Sequence, residues 1–125
     1  MTTKFVQGII IYVKTTFNNT ILTLTDLKGQ VLTWVSAGSC GFKGFRKGTA
    51  FASKKTVDMF LKKSMDYISR CNMIKIYVSG FGSGRENALR GLSSIDKSNR
   101  NKIVAIREIT KISHNGCRPP KKRRF

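Results

Sequence analysis

Acidic residues are scarce in this chain. Its 125 residues include 6 Asp and Glu against 24 Lys and Arg, a formal net charge of +18. Self-repulsion at that charge opposes compaction, so the excess points to a polyanion whose field the chain is built to meet. There is a single histidine, His114, and the six scattered acids offer no recognisable metal or acid/base spacing. Catalysis therefore has little to stand on. The three cysteines, Cys40, Cys71 and Cys117, are odd in number and far apart, which excludes a paired zinc set and a disulfide scaffold. Free thiols in a reducing compartment are expected, with Cys71 a small apolar filler and Cys117 a tail residue lacking an activating partner. No apolar run approaches the roughly 18 residues needed to span a bilayer. The densest, Gly8 to Val13, is of strand length. The opening Met-Thr-Thr-Lys-Phe has none of the marks of a targeting segment, and none is expected.

Hydrophobic residues still make up 40% and aromatics 10%. A core is available, so the chain reads as one folded domain over residues 1–110 with an extended basic tail over 111–125. Val6 to Lys14 is apolar and β-branched, Thr20 to Thr25 alternates with period two, and Val31 to Val35 follows a tight Asp26-Leu27-Lys28-Gly29 connection. These predict a three-stranded meander. Phe17-Asn18-Asn19 joins the first two strands, where Asn tolerates a left-handed backbone and can bond its own main chain. Between Ala37 and Thr49, four glycines alternate with Phe42, Phe45, Lys43, Arg46 and Lys47, which predicts a loop. From about Thr49 to Arg70 the positions Val57, Phe60, Leu61, Met65 and Ile68 recur at helical spacing, with acid-first pairs Asp58–Lys62 and Asp66–Arg70.

Ile74 to Val78 is a short strand, broken by Gly80-Phe81-Gly82-Ser83-Gly84. Ser83 and Glu86 make a capping box for a second helix whose buried stripe would be Ala88, Leu89, Leu92 and Ile95. Asp96 to Lys102 is polar, and Ile103 to Ile109 reads as a last strand, giving a right-handed strand–helix–strand crossover. The sum is an α/β domain with a mixed sheet. The segment from Lys111 holds Pro119-Pro120 and little apolar material, so it should stay extended.

The charge is clustered. Between Leu27 and Val57 there are six cations (Lys28, Lys43, Arg46, Lys47, Lys54, Lys55) and no acid, and between Lys111 and Phe125 there are six more, again without an acid. A merely solvated face would mix signs. Glycines in the Ala37–Thr49 loop permit close approach to phosphate, and Phe42 and Phe45 either stack on bases or anchor the loop to the core. Gly80 to Gly84 follows a strand and opens a helix, as a phosphate-binding turn does. It lacks the Gly-Lys-Ser/Thr ending of a Walker loop, and where a dinucleotide site would need an acid the chain has Arg100. One phosphate of a polymer beside Arg85, or a plain glycine turn with a good cap, both fit. Three functions compete: a structural RNA-binding protein, an RNA chaperone or translational regulator, and a nucleotide-dependent enzyme that finds almost no residues to use.

Phe17-Asn18-Asn19-Thr20, Ser36-Ala37-Gly38 running to Gly44-Phe45-Arg46-Lys47, Gly82-Ser83-Gly84-Arg85-Glu86 and His114 to Arg124 (HNGCRPPKKRR) closely resemble the family of the eleventh protein of the small ribosomal subunit, in its bacterial and organellar form. The likeness covers essentially the whole chain. It implies a three-layer α/β/α domain with a mixed five-stranded sheet, placed on the platform of the small subunit. It implies small-subunit ribosomal RNA and neighbouring platform proteins as partners, with messenger RNA nearby at the exit site. No cofactor, metal, membrane or small-molecule substrate is implied, and no enzymatic activity. Carried over by motif, Asn18, Asn19, Lys43, Arg46, Lys47, Arg85, His114, Asn115, Arg118, Lys121, Lys122, Arg123 and Arg124 become the RNA-contacting residues, and the charge cluster adds Lys54. The chain departs from the family at Phe81 and Ser83, where relatives often carry a Pro-containing loop, and it starts almost at its first strand. Usage heavy in Ile, Phe, Lys and Asn suits an organellar gene, which favours a mitochondrial address, with plastid and bacterial ones as alternatives.

Overall fold

A computed structural model describes residues 8–82, 84–99 and 103–122, without the side chains of Phe45 and of 94–99. Ser83 of the capping box, Ile95 of the second stripe, and Arg100, Arg123 and Arg124 fall outside what is described. Five strands form one mixed sheet in the order β3-β2-β1-β4-β5. They are β1 (Gly8–Thr15), β2 (Thr20–Asp26), β3 (Val31–Ser36), β4 (Met73–Ser79) and β5 (Ile103–Glu108). The meander is present: β1 pairs antiparallel with β2, and β2 antiparallel with β3. Asp26 closes the β2–β3 turn by accepting the amides of Lys28 and Gln30, each at 2.9 Å, while Gly29 takes a φ of +94°. β4 lies parallel to β1 and β5 parallel to β4.

Alternation decides which side of the sheet is covered. Ile9, Ile11 and Val13 of β1 are buried with Leu22 and Leu24 of β2 and with Ile74, Ile76 and Val78 of β4. Helix α1 (Ala50–Arg70) adds Val57, Phe60 and Ile68 to this cluster, and α2 (Arg85–Asn99) adds Ala88 and Leu92. Fully burying side chains of this size is worth about 1.5–3 kcal/mol each, which makes this one-sided core the main source of stability. The resemblance implies helices on both faces; among the described residues both share one. The reason is topological. The crossovers from β3 through α1 to β4 and from β4 through α2 to β5 run the same way across the sheet, and crossovers of one hand taken in one direction leave their helices on one side. The helices also pack on each other so closely that a Cβ on Gly91 would meet Val57 Cγ1 at 2.6 Å.

Two details depart from the sequence reading. Met65 is exposed, whereas Ala52, Ser53, Thr56 and Ser64 are buried along the inner side of α1. Small residues sit there because the helix comes close to the sheet and to α2. The helix α2 also runs on to Asn99, through polar residues read from the sequence as a connection. Among the described residues, neither the Asp58–Lys62 nor the Asp66–Arg70 pair closes to ion-pair distance.

Candidate nucleic-acid interface

Strand direction gathers the basic segments at one end of the molecule. β2 alone runs against the other four strands, so β1, β3, β4 and β5 all end on the same edge of the sheet. The β1–β2 turn, the β3–α1 connection, the β4–α2 loop and the start of the tail therefore leave from that edge. So do the N-termini of both helices. In open α/β sheets this carboxyl edge is where ligands are met, and helix N-termini add a positive field to it.

The β1–β2 turn is tied by the Thr16 amide donating to the Asn19 carbonyl at 2.9 Å and by the Asn19 amide donating to Thr16 Oγ1 at 3.1 Å. Asn19 bonds the main chain as expected, its Oδ1 accepting the Thr20 amide at 2.9 Å. The left-handed backbone foreseen there occurs elsewhere: among the described residues other than glycine it belongs to Asn115, with a φ of 58°. At the tip of the turn Phe17 stands 83% exposed. Sequence reasoning passed over it as a turn residue.

The Ala37–Thr49 segment is more ordered than a loop. Ser36 and Ser39 bond each other's main chain after β3, and Gly44–Gly48 forms a turn of 3-10 helix. Thr49 then caps α1, its Oγ1 accepting the Ala52 amide at 3.2 Å. This segment lies against the β1–β2 turn: a Cβ on Gly48 would stand 2.4 Å from the Phe17 carbonyl oxygen. The backbone of Phe17 and Asn18 is thereby brought against Gly48, the end of the segment that carries Lys43, Arg46 and Lys47, across some thirty residues of chain. Lys43 and Arg46 are exposed, Lys47 is half-buried, and the first turn of α1 contains no acid. Exposed Lys54, one turn into α1, shares a groove between the helices with Asn87 and Arg90. Phe42 packs edge-on against Phe51 of α1, centroids 6.0 Å apart, so this ring anchors the segment. The Phe45 ring lies outside the described side chains.

The β4–α2 loop is a packing device. A Cβ on Gly80, whose φ is +92°, would reach within 1.9 Å of the Thr15 carbonyl oxygen, and one on Gly84 within 1.7 Å of Ser53 Oγ. Beneath Gly84 the buried Thr20 and Ser53 hydroxyls share a hydrogen bond of 2.9 Å. The glycines let this loop seat on the ends of β1, β2 and α1, which favours the plain turn over the phosphate loop. Arg85 is also occupied. Its guanidinium forms a salt bridge with Glu108, donates to the Gly80 carbonyl at 3.0 Å, and lies 5.4 Å from the Phe81 ring centroid. The Arg85 hydrogen bond, and then one from the Thr110 hydroxyl, hold the Glu108 carboxyl below the usual carboxylate range. Arg85 is thus committed to the loop rather than standing free for phosphate.

The tail leaves this edge after two further ties. The Ile109 amide donates to the Val78 carbonyl at 2.8 Å, and Thr110 Oγ1 accepts the Gly80 amide at 2.9 Å. From Lys111 to Lys122 every residue is exposed, including His114, Asn115, Arg118, Lys121 and Lys122. Among the described residues Cys40, Cys71 and Cys117 form no disulfide; Cys71 is buried, its thiol donating to the Ile68 carbonyl at 3.2 Å, and Cys117 is exposed. Among the described residues no helix is long and apolar enough to cross a membrane.

Comparison with known proteins decides the family. A model of ribosomal protein S11 matches residues 8–124. The chain belongs to the ribosomal protein S11 family. It is 51% identical over 122 residues to small ribosomal subunit protein uS11c of Tupiella akineta, covering 98% of this chain and 88% of that one. The uS11c of Mesostigma viride is 47% identical over 121 residues, covering 97% and 88%. The uS11 of Rippkaea orientalis is likewise 47% identical over 121 residues, covering 97% and 88%. As an S11 family member this chain is a structural ribosomal protein of the small subunit and not an enzyme. The mitochondrial address favoured by composition finds no support here. The relatives are chloroplast-type uS11c proteins and a cyanobacterial uS11, which favours a plastid or bacterial ribosome. A bias in residue usage reports base content, and that is shared by more than one organelle.

Proposed function

We propose that this chain binds small-subunit ribosomal RNA through the carboxyl edge of its sheet and through its tail. It does so on the platform beside the messenger exit site of a plastid or bacterial ribosome. One observation carries the reading: strand order delivers the Asn18–Asn19 turn, the Lys43, Arg46 and Lys47 segment and the root of the His114–Arg124 tail to one edge, with two helix N-termini behind them. Lys54 extends the basic surface along α1. Arg85 holds the edge together rather than touching the phosphates. Neighbouring platform proteins and the nearby messenger complete the surroundings.

Phosphate contacts of this kind release condensed counterions. With on the order of 6 to 10 contacts, affinity for the RNA is expected to fall by roughly 10³- to 10⁵-fold between 50 and 200 mM salt. Titration at several salt concentrations checks this, and a nearly flat response would overturn the phosphate-dominated reading. Co-sedimentation with small subunits through a high-salt gradient separates a ribosomal constituent from a free RNA chaperone.

A further inference from the structure

Both helices cover one face of the sheet, and the opposite face carries an aligned row of side chains that the carboxyl-edge reading does not use. Register pairs Trp34 with Thr23, Thr23 with Tyr12, Tyr12 with Tyr77 and Tyr77 with Arg107, one residue from each of the five strands. Their alternation from the buried Val35, Leu22, Val13 and Val78 puts this row on the side that, among the described residues, is free of helix. Four strand spacings make it about 19 Å long. Trp34 is 55% exposed, Arg107 is exposed, and the Tyr12 and Tyr77 rings are half-buried, edge to face at 5.4 Å. Lys14 and Lys75, two residues along β1 and β4, belong to the same side.

What covers such a face is decided by its chemistry. Ile10 on this side is buried and Ile21 and Met73 are half-buried, and the exposed Val31 stands on the outer strand opposite Thr25, so the accessible row itself is aromatic and cationic rather than aliphatic. The six acids of the chain lie elsewhere: Asp26 and Glu108 alternate to the other side of their strands, and Asp58, Asp66, Glu86 and Asp96 are on the helices. A protein interface of this size has a core depleted of charge. A row of rings flanked by cations on an open sheet is instead how unpaired bases are received, a base stacking on a ring that turns its face outward while its phosphate meets a cation.

We propose that the helix-free face of the sheet is a stacking platform for a single-stranded RNA segment. Trp34, Tyr12 and Tyr77 receive bases, and Lys14, Lys75 and Arg107 meet the backbone. This surface is separate from the carboxyl edge and takes from that reading only the class of ligand. It selects for unpaired RNA, because bases inside a duplex offer no free face to a ring.

Trp34 is the one tryptophan of the chain, so its emission reports on the platform directly. The full chain is titrated with a twelve-nucleotide uridine oligomer and, separately, with duplex RNA of equal length. The single strand is expected to quench Trp34. Trp34→Ala should weaken that binding by about 5- to 150-fold, the loss of one stacked base, with duplex binding unchanged. Trp34→Phe should restore most of it, and Arg107→Ala should lower the salt slope by about one unit. Tyr77→Phe keeps the ring and should bind as the parent does, while Tyr77→Ala should not. Unchanged emission at saturation, or a Trp34→Ala chain that binds the oligomer normally, overturns the proposal. Loss of a ribosomal protein neighbour by Trp34→Ala with oligomer binding intact would overturn it in favour of a protein dock. Salt-dependent binding of ribosomal RNA through Lys43, Arg46 and Lys47 would survive either failure.

Discussion

Arg46 and Arg85 carry the same charge at the same edge of the sheet and do opposite work. Arg46 stands exposed in a region of like sign, whereas Arg85 is tied to Glu108, to the Gly80 carbonyl and to the Phe81 ring. Arg46→Ala should therefore leave the melting temperature nearly unchanged and lower the salt slope of RNA binding by about one unit. Arg85→Ala should lower the melting temperature and leave that slope alone. Acid should narrow the difference in melting between parent and Arg85→Ala without closing it, because the ties to the Gly80 carbonyl and the Phe81 ring do not titrate. Arg85 and Thr110 depress the folded-state pKa of Glu108, so its contribution is complete above the unfolded value and is lost as pH falls through the folded one. Thermal melts across an acid series check both statements. A large destabilisation by Arg46→Ala would mean that its segment carries packing rather than charge.

At the scale of elements, the three glycines after β4 are explained by what lies under them. Gly84→Ala would drive a methyl group into the buried Ser53 and Thr20 hydroxyls, an overpacking expected to cost about 1–3 kcal/mol. Denaturant midpoints would show it, and an unchanged midpoint would mean that the junction yields. Period-two and helical spacing made all five strands and both helices legible in the sequence, because alternation and amphipathicity are local. Close approach between elements is not local, and that is where the reading fell short. Ser64 is buried and Met65 exposed because α1 turns small residues toward its neighbours, a fact that no hydropathy scale carries. Arg85 resembled a phosphate ligand because its partner Glu108 lies 23 residues away. The helix-free side was invisible for the same reason: Trp34, Tyr12 and Tyr77 come together only through strand register.

Across the whole molecule, the boundary between domain and tail falls just after Thr110, whose hydroxyl still holds the Gly80 amide. Removing 111–125 should leave the melting temperature unchanged, while a cut after Glu108 should lower it. In the full chain, amides from Lys111 onward should exchange fast without RNA and become protected on it, since like charges and Pro119-Pro120 oppose any fold of their own. Strong protection in the free protein would contradict this. The order of pairing also bears on how the chain is made. Ile9 meets Asp26 across a short hairpin but pairs in parallel with Ile74, about 65 residues later. At a synthesis rate of roughly 5–20 residues per second, that partner emerges about 3–13 s after β1. Through that interval the most apolar strand of the protein has one side satisfied and the other an open row of amides and carbonyls, the kind of edge on which nascent chains join one another.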